Sequence, residues 1–212
     1  MTYRAAIFDL DGTLLDTEAQ AIEAGRRAFD QLGIAVPNGF FQQLVGVDFH
    51  TGMARIIDQW PDIDTGALDR IWSKEARALH AEGIPLKPGV TSLLDKIDAL
   101  GLPKAIATSS FAHSAKHKLA ASELEGRFDI VVSVDCVTHA KPHPEPYLLA
   151  ATRLGMSPEM CLAFEDSETG SKSAHAAGMT VVVVPDVAQP SGDFAHHMAT
   201  DLIQGAKLAG LF

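Results

Sequence analysis

Asp9 and Asp11 stand two residues apart in the run Phe8-Asp9-Leu10-Asp11-Gly12-Thr13, directly after an apolar stretch at residues 3–8. On an extended strand end, residues two apart point the same way, so both carboxylates can face one pocket. Such a pair suits a hard divalent cation bound through oxygen, or a nucleophile working with a general acid. The structural alternative is a strand end followed by an Asp-Gly turn. A second acidic pair, Glu165-Asp166, follows the apolar residues 160–164. Adjacent like charges repel, and Mg²⁺ or a similar ion between this pair and Asp9 is the economical explanation. Thr108-Ser109-Ser110 ends another apolar stretch at 104–107. Its hydroxyls and free backbone N–H groups suit a phosphate oxyanion, or else they cap a helix over 111–124. Lys141 opens the run Lys141-Pro142-His143-Pro144-Glu145-Pro146, in the loop that follows residues 128–134. The prolines stiffen the backbone in an extended form, so the ammonium is presented to phosphate oxygens or to solvent.

Four strand ends, each delivering one chemical part, are what an open parallel sheet provides beyond the carboxyl ends of its strands. The fold class expected is α/β, a three-layer Rossmann-like core over a parallel β-sheet. Residues 168–178 read as a helix rich in small residues, able to pack closely on that sheet. Residues 181–184 read as a buried strand, and 200–212 as a last short strand and terminal helix. Residues 1–15 hold a strand whose partners appear only after about residue 86, so the stretch between is an insertion. Its pattern is helical at 17–32, 39–45, 51–60 and 66–82, with Leu68, Ile71, Trp72 and Leu79 spaced for one packed face. Pro37 and Pro61 fall in the joints, and Pro85 with Pro88-Gly89 marks the return. The expected domains are therefore 1–15 with 86–212, and 16–85.

These segments resemble, in order, the four motifs of the haloacid dehalogenase-like hydrolase superfamily. Asp9-Leu10-Asp11-Gly12-Thr13 matches the first, Thr108 the second, Lys141-Pro142 the third, and Glu165-Asp166 with Gly170 and Ala177-Gly178-Met179 the fourth. The resemblance implies that Asp9 attacks phosphorus to form an aspartyl-phosphate and that Asp11 is the general acid/base. It implies Mg²⁺ held by Asp9, the carbonyl of Asp11 and Asp166, with Glu165 direct or through water. Thr108 and Lys141 would bind the remaining phosphate oxygens, helped by the N–H groups of Leu10 and Ser109. The dehalogenases of the family lack an acid at the position of Asp11, because halide leaves without a proton, so their reaction is not expected.

The placement of the insertion resembles the four-helix cap of the phosphoglycolate phosphatase and β-phosphoglucomutase branch, which closes over the site and selects the substrate. Gly46-Val47-Asp48-Phe49-His50 resembles the cap loop of that branch. The mutases carry an arginine where Phe49 stands and a histidine where Ala21 stands, which favours a phosphatase over a mutase. A non-catalytic binding protein is the remaining class, and the intact motif set argues against it. Gln20 and Asp48 could hydrogen-bond a sugar, and His50 and Lys74 could meet a polar substrate or solvent. Phe49 and Trp72 fit the cap core or a stacking role. The implied partner is a small phosphorylated metabolite, hydrolysed by a monomer or small homo-oligomer.

The 212 residues carry a formal net charge of −10, which disfavours binding to nucleic acid or anionic membranes. No apolar run approaches membrane-spanning length, and the first one ends at Asp9, too soon for a signal peptide. Two cysteines, Cys136 and Cys161, without a secretion signal fit a reduced cytoplasm. His139 and His143 flank Lys141, but a proline-rich loop offers them no helical face, which argues against a zinc site.

Overall fold

A computed structural model describes residues 3–44 and 49–212, with the side chains of Phe49 and His50 also outside the description. Along the chain run β1 (Ala5–Phe8), α1 (Thr17–Gln31), α2 (Phe49–Gln59), α3 (Thr65–Ala81), α4 (Val90–Ala99), β2 (Lys104–Ala107) and α5 (Ala112–Ala120). They are followed by β3 (Ile130–Val132), α6 (Glu145–Leu154), β4 (Cys161–Glu165), α7 (Glu168–Ala176), β5 (Thr180–Val183), β6 (His197–Met198) and α8 (Leu202–Leu208). The strands form one sheet in the order β3-β2-β1-β4-β5-β6, parallel throughout.

A parallel sheet needs helices on both faces, so its strands read as nearly unbroken apolar runs. β1 and β4 are buried at every position. Successive side chains alternate between faces. Ala5, Ile7, Ala105, Ala107, Cys161, Ala163, Val181 and Val183 share a core with Tyr147, Ala150 and Ala174 of α6 and α7. On the other face Phe8 stacks on Phe164, their rings 4.8 Å apart, and Gly205 of α8 lies against Val182. Small residues at 105, 107 and 163 keep the first layer thin enough for α6 to sit close to the strand ends that matter.

β1 pairs with β2 on one side and with β4 on the other, so the direction of winding reverses between β1 and β4. Phe8 is in register with Phe164, and the N–H of Asp9 donates to the carbonyl of Phe164 at 2.9 Å. The acidic residues after both strands therefore emerge side by side at the switch point, where ligands of such sheets bind.

The chain divides into two compact units, Met1–Asp16 with Pro85–Phe212, and Thr17–Ile84. In the second, α1, α2 and α3 are α-helices, and the segment expected as a helix at 39–45 is a single 3₁₀ turn, Phe41–Leu44. Phe29 is its centre, fully buried and in ring contact with Phe40, Phe41, Trp60 and Trp72. Trp72 is half-buried and packs against this core, and its Nε1 donates to the carbonyl of Ala21 at 3.2 Å. The closing strand differs from expectation as well. It is the two-residue β6 at His197–Met198, before residue 200, with α8 following. Among the described residues no helix is long and apolar enough to cross a membrane.

Both tryptophans of the chain, Trp60 and Trp72, lie in this second unit. Removing the Phe29 ring should cost about 3–5 kcal/mol through lost burial and the cavity left behind. Phe29→Ala is accordingly expected to lower the urea midpoint read by tryptophan fluorescence, a signal that reports this unit alone.

Candidate active site

Asp9 is buried at the end of β1, and the chain then turns tightly, with the N–H groups of Leu14 and Leu15 both donating to the carbonyl of Leu10 at 3.0 Å. Gly12 has φ +84°, and a Cβ there would come within 2.5 Å of Asp166 Oδ2. Both the backbone and the close approach thus require glycine. Thr13, also buried, donates through Oγ1 to Asp166 Oδ1 at 2.9 Å and fixes that carboxylate.

Lys141 is not left in solvent. Its side chain is only 3 % exposed, and Nζ donates to Asp9 Oδ1 and Glu165 Oε1, both at 2.6 Å. The surrounding run is not extended throughout either. Glu145 begins α6 with Pro146 in the first turn, where a missing N–H is harmless. Burial opposes the charge on Lys141, but Asp9 and Glu165 outweigh it and raise its pKa above the ordinary lysine value. Burial pushes Asp9 up to about 7 against the pull of Lys141, and the charges of Glu165 and Asp11 add to the rise.

Glu165 has no exposed surface. Oε1 also accepts from Tyr147 Oη at 2.7 Å, and Oε2 accepts from Ser167 Oγ at 3.0 Å and from the N–H of Asp166 at 3.2 Å. Burial and the nearby Glu165 push the Tyr147 phenol well above its ordinary pKa, so it stays a donor. Gly170 makes the room: a Cβ there would lie 1.9 Å from Glu165 Oε1.

The other acid of the first pair has its own partners. Asp11 Oδ1 accepts from Lys118 Nζ at 2.6 Å, and Oδ2 from Ser110 Oγ at 2.7 Å. Thr108 is buried and its Oγ1 accepts from the N–H of Ser110 at 3.0 Å, while Ser109 is exposed. One core unit thus brings together Asp9, Glu165, Asp166 and Lys141, and joins Asp11 to the Thr108–Ser110 loop. Of the residues expected in the insertion, Lys74 is exposed on α3, and Gln20 Nε2 donates to the carbonyl of Gly83 at 2.8 Å. Asp48 and the side chains of Phe49 and His50 lie outside the described residues.

Tyr147, Thr13, Ser110 and Lys118 carry contacts that the sequence reading did not assign. Tyr147 is indistinguishable in sequence from an ordinary core aromatic, and nothing separates Lys118 from the exposed Lys116 two residues earlier. His139, His143 and Glu145 do come together, with ring centroids 4.6 Å apart for the two histidines. Both oxygens of Glu145 already accept backbone N–H groups, from Thr138 and His139, and His143 Nδ1 accepts from the N–H of Glu145. That carboxylate serves the loop.

Asp9, Glu165 and Asp166 each offer a buried oxygen within 4.8 Å of the others. The donors are all oxygen, which selects a hard cation such as magnesium. Four carboxyl groups (Asp9, Asp11, Glu165, Asp166) gather there with two ammonium groups (Lys118, Lys141), so acids outnumber cations among these residues.

The model of the haloacid dehalogenase-like hydrolase family matches residues 6–184. The chain is 34 % identical over 189 residues to fructose-1-phosphate phosphatase YqaB of Escherichia coli, covering 86 % of this chain and 96 % of that one. It is 32 % identical over 176 residues to the phosphorylated carbohydrates phosphatase of Thermotoga maritima, covering 82 % of each. Its fold matches a crystal structure of a hydrolase of this family from Deinococcus radiodurans with bound phosphate and sodium. The TM-score is 0.83 at 26 % identity, over 99 % of this chain and 95 % of that one.

Removing the Lys141 ammonium leaves Asp9 and Glu165 buried without their shared cation. Breaking a buried pair from one side costs about 3–5 kcal/mol. Lys141→Met is expected to lose that much unfolding free energy in chemical denaturation followed by circular dichroism.

Proposed function

The chain belongs to the haloacid dehalogenase-like hydrolases, and on that premise we propose that it is a Mg²⁺-dependent phosphatase of a small phosphomonoester, most simply a sugar or polyol phosphate. The observation that carries this reading is the end of β1, where Asp9 is held by Lys141 beside Asp166 and two residues before an independently anchored Asp11. The substrate class follows from the relatives that act on fructose 1-phosphate and on phosphorylated carbohydrates.

In this reading an Asp9 carboxylate oxygen attacks phosphorus, and the bond from phosphorus to the leaving oxygen breaks. Asp11 gives that oxygen a proton as it departs. Asp11 then takes a proton from water as the water attacks the aspartyl-phosphate, and Asp9 is released as a carboxylate. Lys141 keeps Asp9 in place and supplies positive charge to the phosphoryl oxygens, with Thr108 and the N–H groups of Leu10 and Ser109 as further donors. Asp9, the carbonyl of Asp11 and Asp166 would hold the magnesium ion. Glu165, whose oxygens already serve Lys141, Tyr147 and Ser167, would act through water. When bound, the ion neutralises phosphoryl charge so that one anion can approach another.

The test is inorganic phosphate release from hexose, pentose and polyol phosphates, phosphoglycolate and nucleotides, with Mg²⁺ and with a chelator. Release from one or two compounds that stops on chelation is expected. Asp9→Asn should fold normally and release nothing above background. Asp11→Asn should lose about a hundredfold or more in rate. Release that survives chelation would overturn the metal assignment, and turnover by Asp9→Asn would overturn the nucleophile. Interconversion of sugar phosphates with no net release would make the protein a mutase.

A further inference from the structure

Asp11 is held by a triangle of hydrogen bonds that none of the four motifs contains. Lys118 lies in the last turn of α5, and its Nζ donates to Asp11 Oδ1 at 2.6 Å and to Ser110 Oγ at 2.9 Å. Ser110 Oγ in turn donates to Asp11 Oδ2 at 2.7 Å. Each carboxylate oxygen has a different donor, and the two donors are bonded to each other. Turning the carboxyl group breaks contacts at both oxygens, so the triangle fixes its orientation as well as its position. The Lys118 side chain is 14 % exposed, unlike that of the exposed Lys116 on the same helix. A lysine that gives up its rotamer freedom in such a place needs more than an ordinary surface ion pair to account for it.

We propose that Lys118, with Ser110, is a positioning residue for proton transfer by Asp11. The inference rests on the reading of Asp11 as the acid that protonates the leaving oxygen. The triangle holds in both states of the cycle. A serine hydroxyl either donates to a carboxylate or turns to accept from a neighbouring donor, while Lys118 keeps three N–H groups for Oδ1 and Ser110. Nothing in the triangle requires Lys118 to touch substrate.

The chemistry of the leaving group separates this role from others. Cleaving an alkyl phosphate expels an alkoxide that needs a proton as the bond breaks. Cleaving para-nitrophenyl phosphate expels a phenolate that does not. Because kcat/KM reports the steps up to departure of the leaving group, before Asp11 acts on water, a misaligned Asp11 lowers it for the first and spares it for the second. The experiment compares kcat/KM for the sugar or polyol phosphate turned over fastest with kcat/KM for para-nitrophenyl phosphate. It uses the parent protein, Lys118→Met, Lys118→Arg, Ser110→Ala and Asp11→Asn, with thermal melts to verify folding.

Lys118→Met is expected to lower the alkyl value by about tenfold to a hundredfold and the aryl value by less than about threefold, a part of what the whole acid contributes. Lys118→Arg should recover most of the loss, and Ser110→Ala should show the same selectivity more weakly. Equal losses on both substrates, no loss, or a rise in KM with kcat unchanged would overturn the proposal. The last would make Lys118 a substrate contact. Asp11→Asn sets the scale: if it loses both substrates alike, the acid role of Asp11 falls and this inference falls with it. If only Asp11→Asn discriminates, the fault lies with Lys118 alone.

Discussion

Two carboxylates, Asp9 and Glu165, end neighbouring strands and share one ammonium, the buried Nζ of Lys141, at 2.6 Å from each. Parallel pairing of β1 with β4 forces the two acids together, and a sheet with apolar layers on both faces offers them little water. Unpaired, each charge would cost several kcal/mol or be lost to protonation. The ammonium makes the arrangement tolerable, and the remaining negative charge makes it hospitable to a cation. Lys141 therefore sets conditions that the rest of the site must satisfy.

Alternation along the strand explains why adjacent acids have separate tasks. Glu165 continues the face of Cys161 and Ala163, toward α6 and α7, where Tyr147, Ser167 and the gap at Gly170 receive it. Asp166 turns instead toward the loop after β1, where Gly12 leaves space and Thr13 donates a hydrogen bond. One member of the pair turns into the layer of α6 and α7, and the other toward the loop after β1.

The sequence made the strand ends legible because apolar runs at 104–107 and 160–164 stop abruptly at residues with chemistry to offer. The insertion was legible through its helical spacing, with Leu68 and Leu79 buried and Trp72 packed half-buried against the cluster around Phe29. Other parts carry weak local signals. The prolines at 142, 144 and 146 conceal that α6 starts at Glu145. A two-residue strand such as β6 has no periodicity to detect, and a 3₁₀ turn at Phe41–Leu44 imitates a short helix. Lys118 and Tyr147 acquire meaning only from partners 107 and 18 residues away respectively, separations that no spacing rule reads. Whether Glu165 meets an ion directly or through water was open in the sequence, because its internal donors, Lys141, Tyr147 and Ser167, lie apart from it along the chain or within another element.

The insertion leaves and rejoins the core at a single point. The N–H of Asp16 donates to the carbonyl of Pro85 and that of Lys87 to the carbonyl of Leu14, each at 2.9 Å, and Leu15 bridges Leu86 in antiparallel fashion. The stem is closed by its own ladder whatever it carries, and loop-closure entropy grows only slowly with the length beyond it. Such a stem is a graft point: a segment of different size or fold can replace what it carries without altering the register of β1 or the placement of Asp9. The sheet and its acidic strand ends can thus be inherited intact while the inserted unit is exchanged.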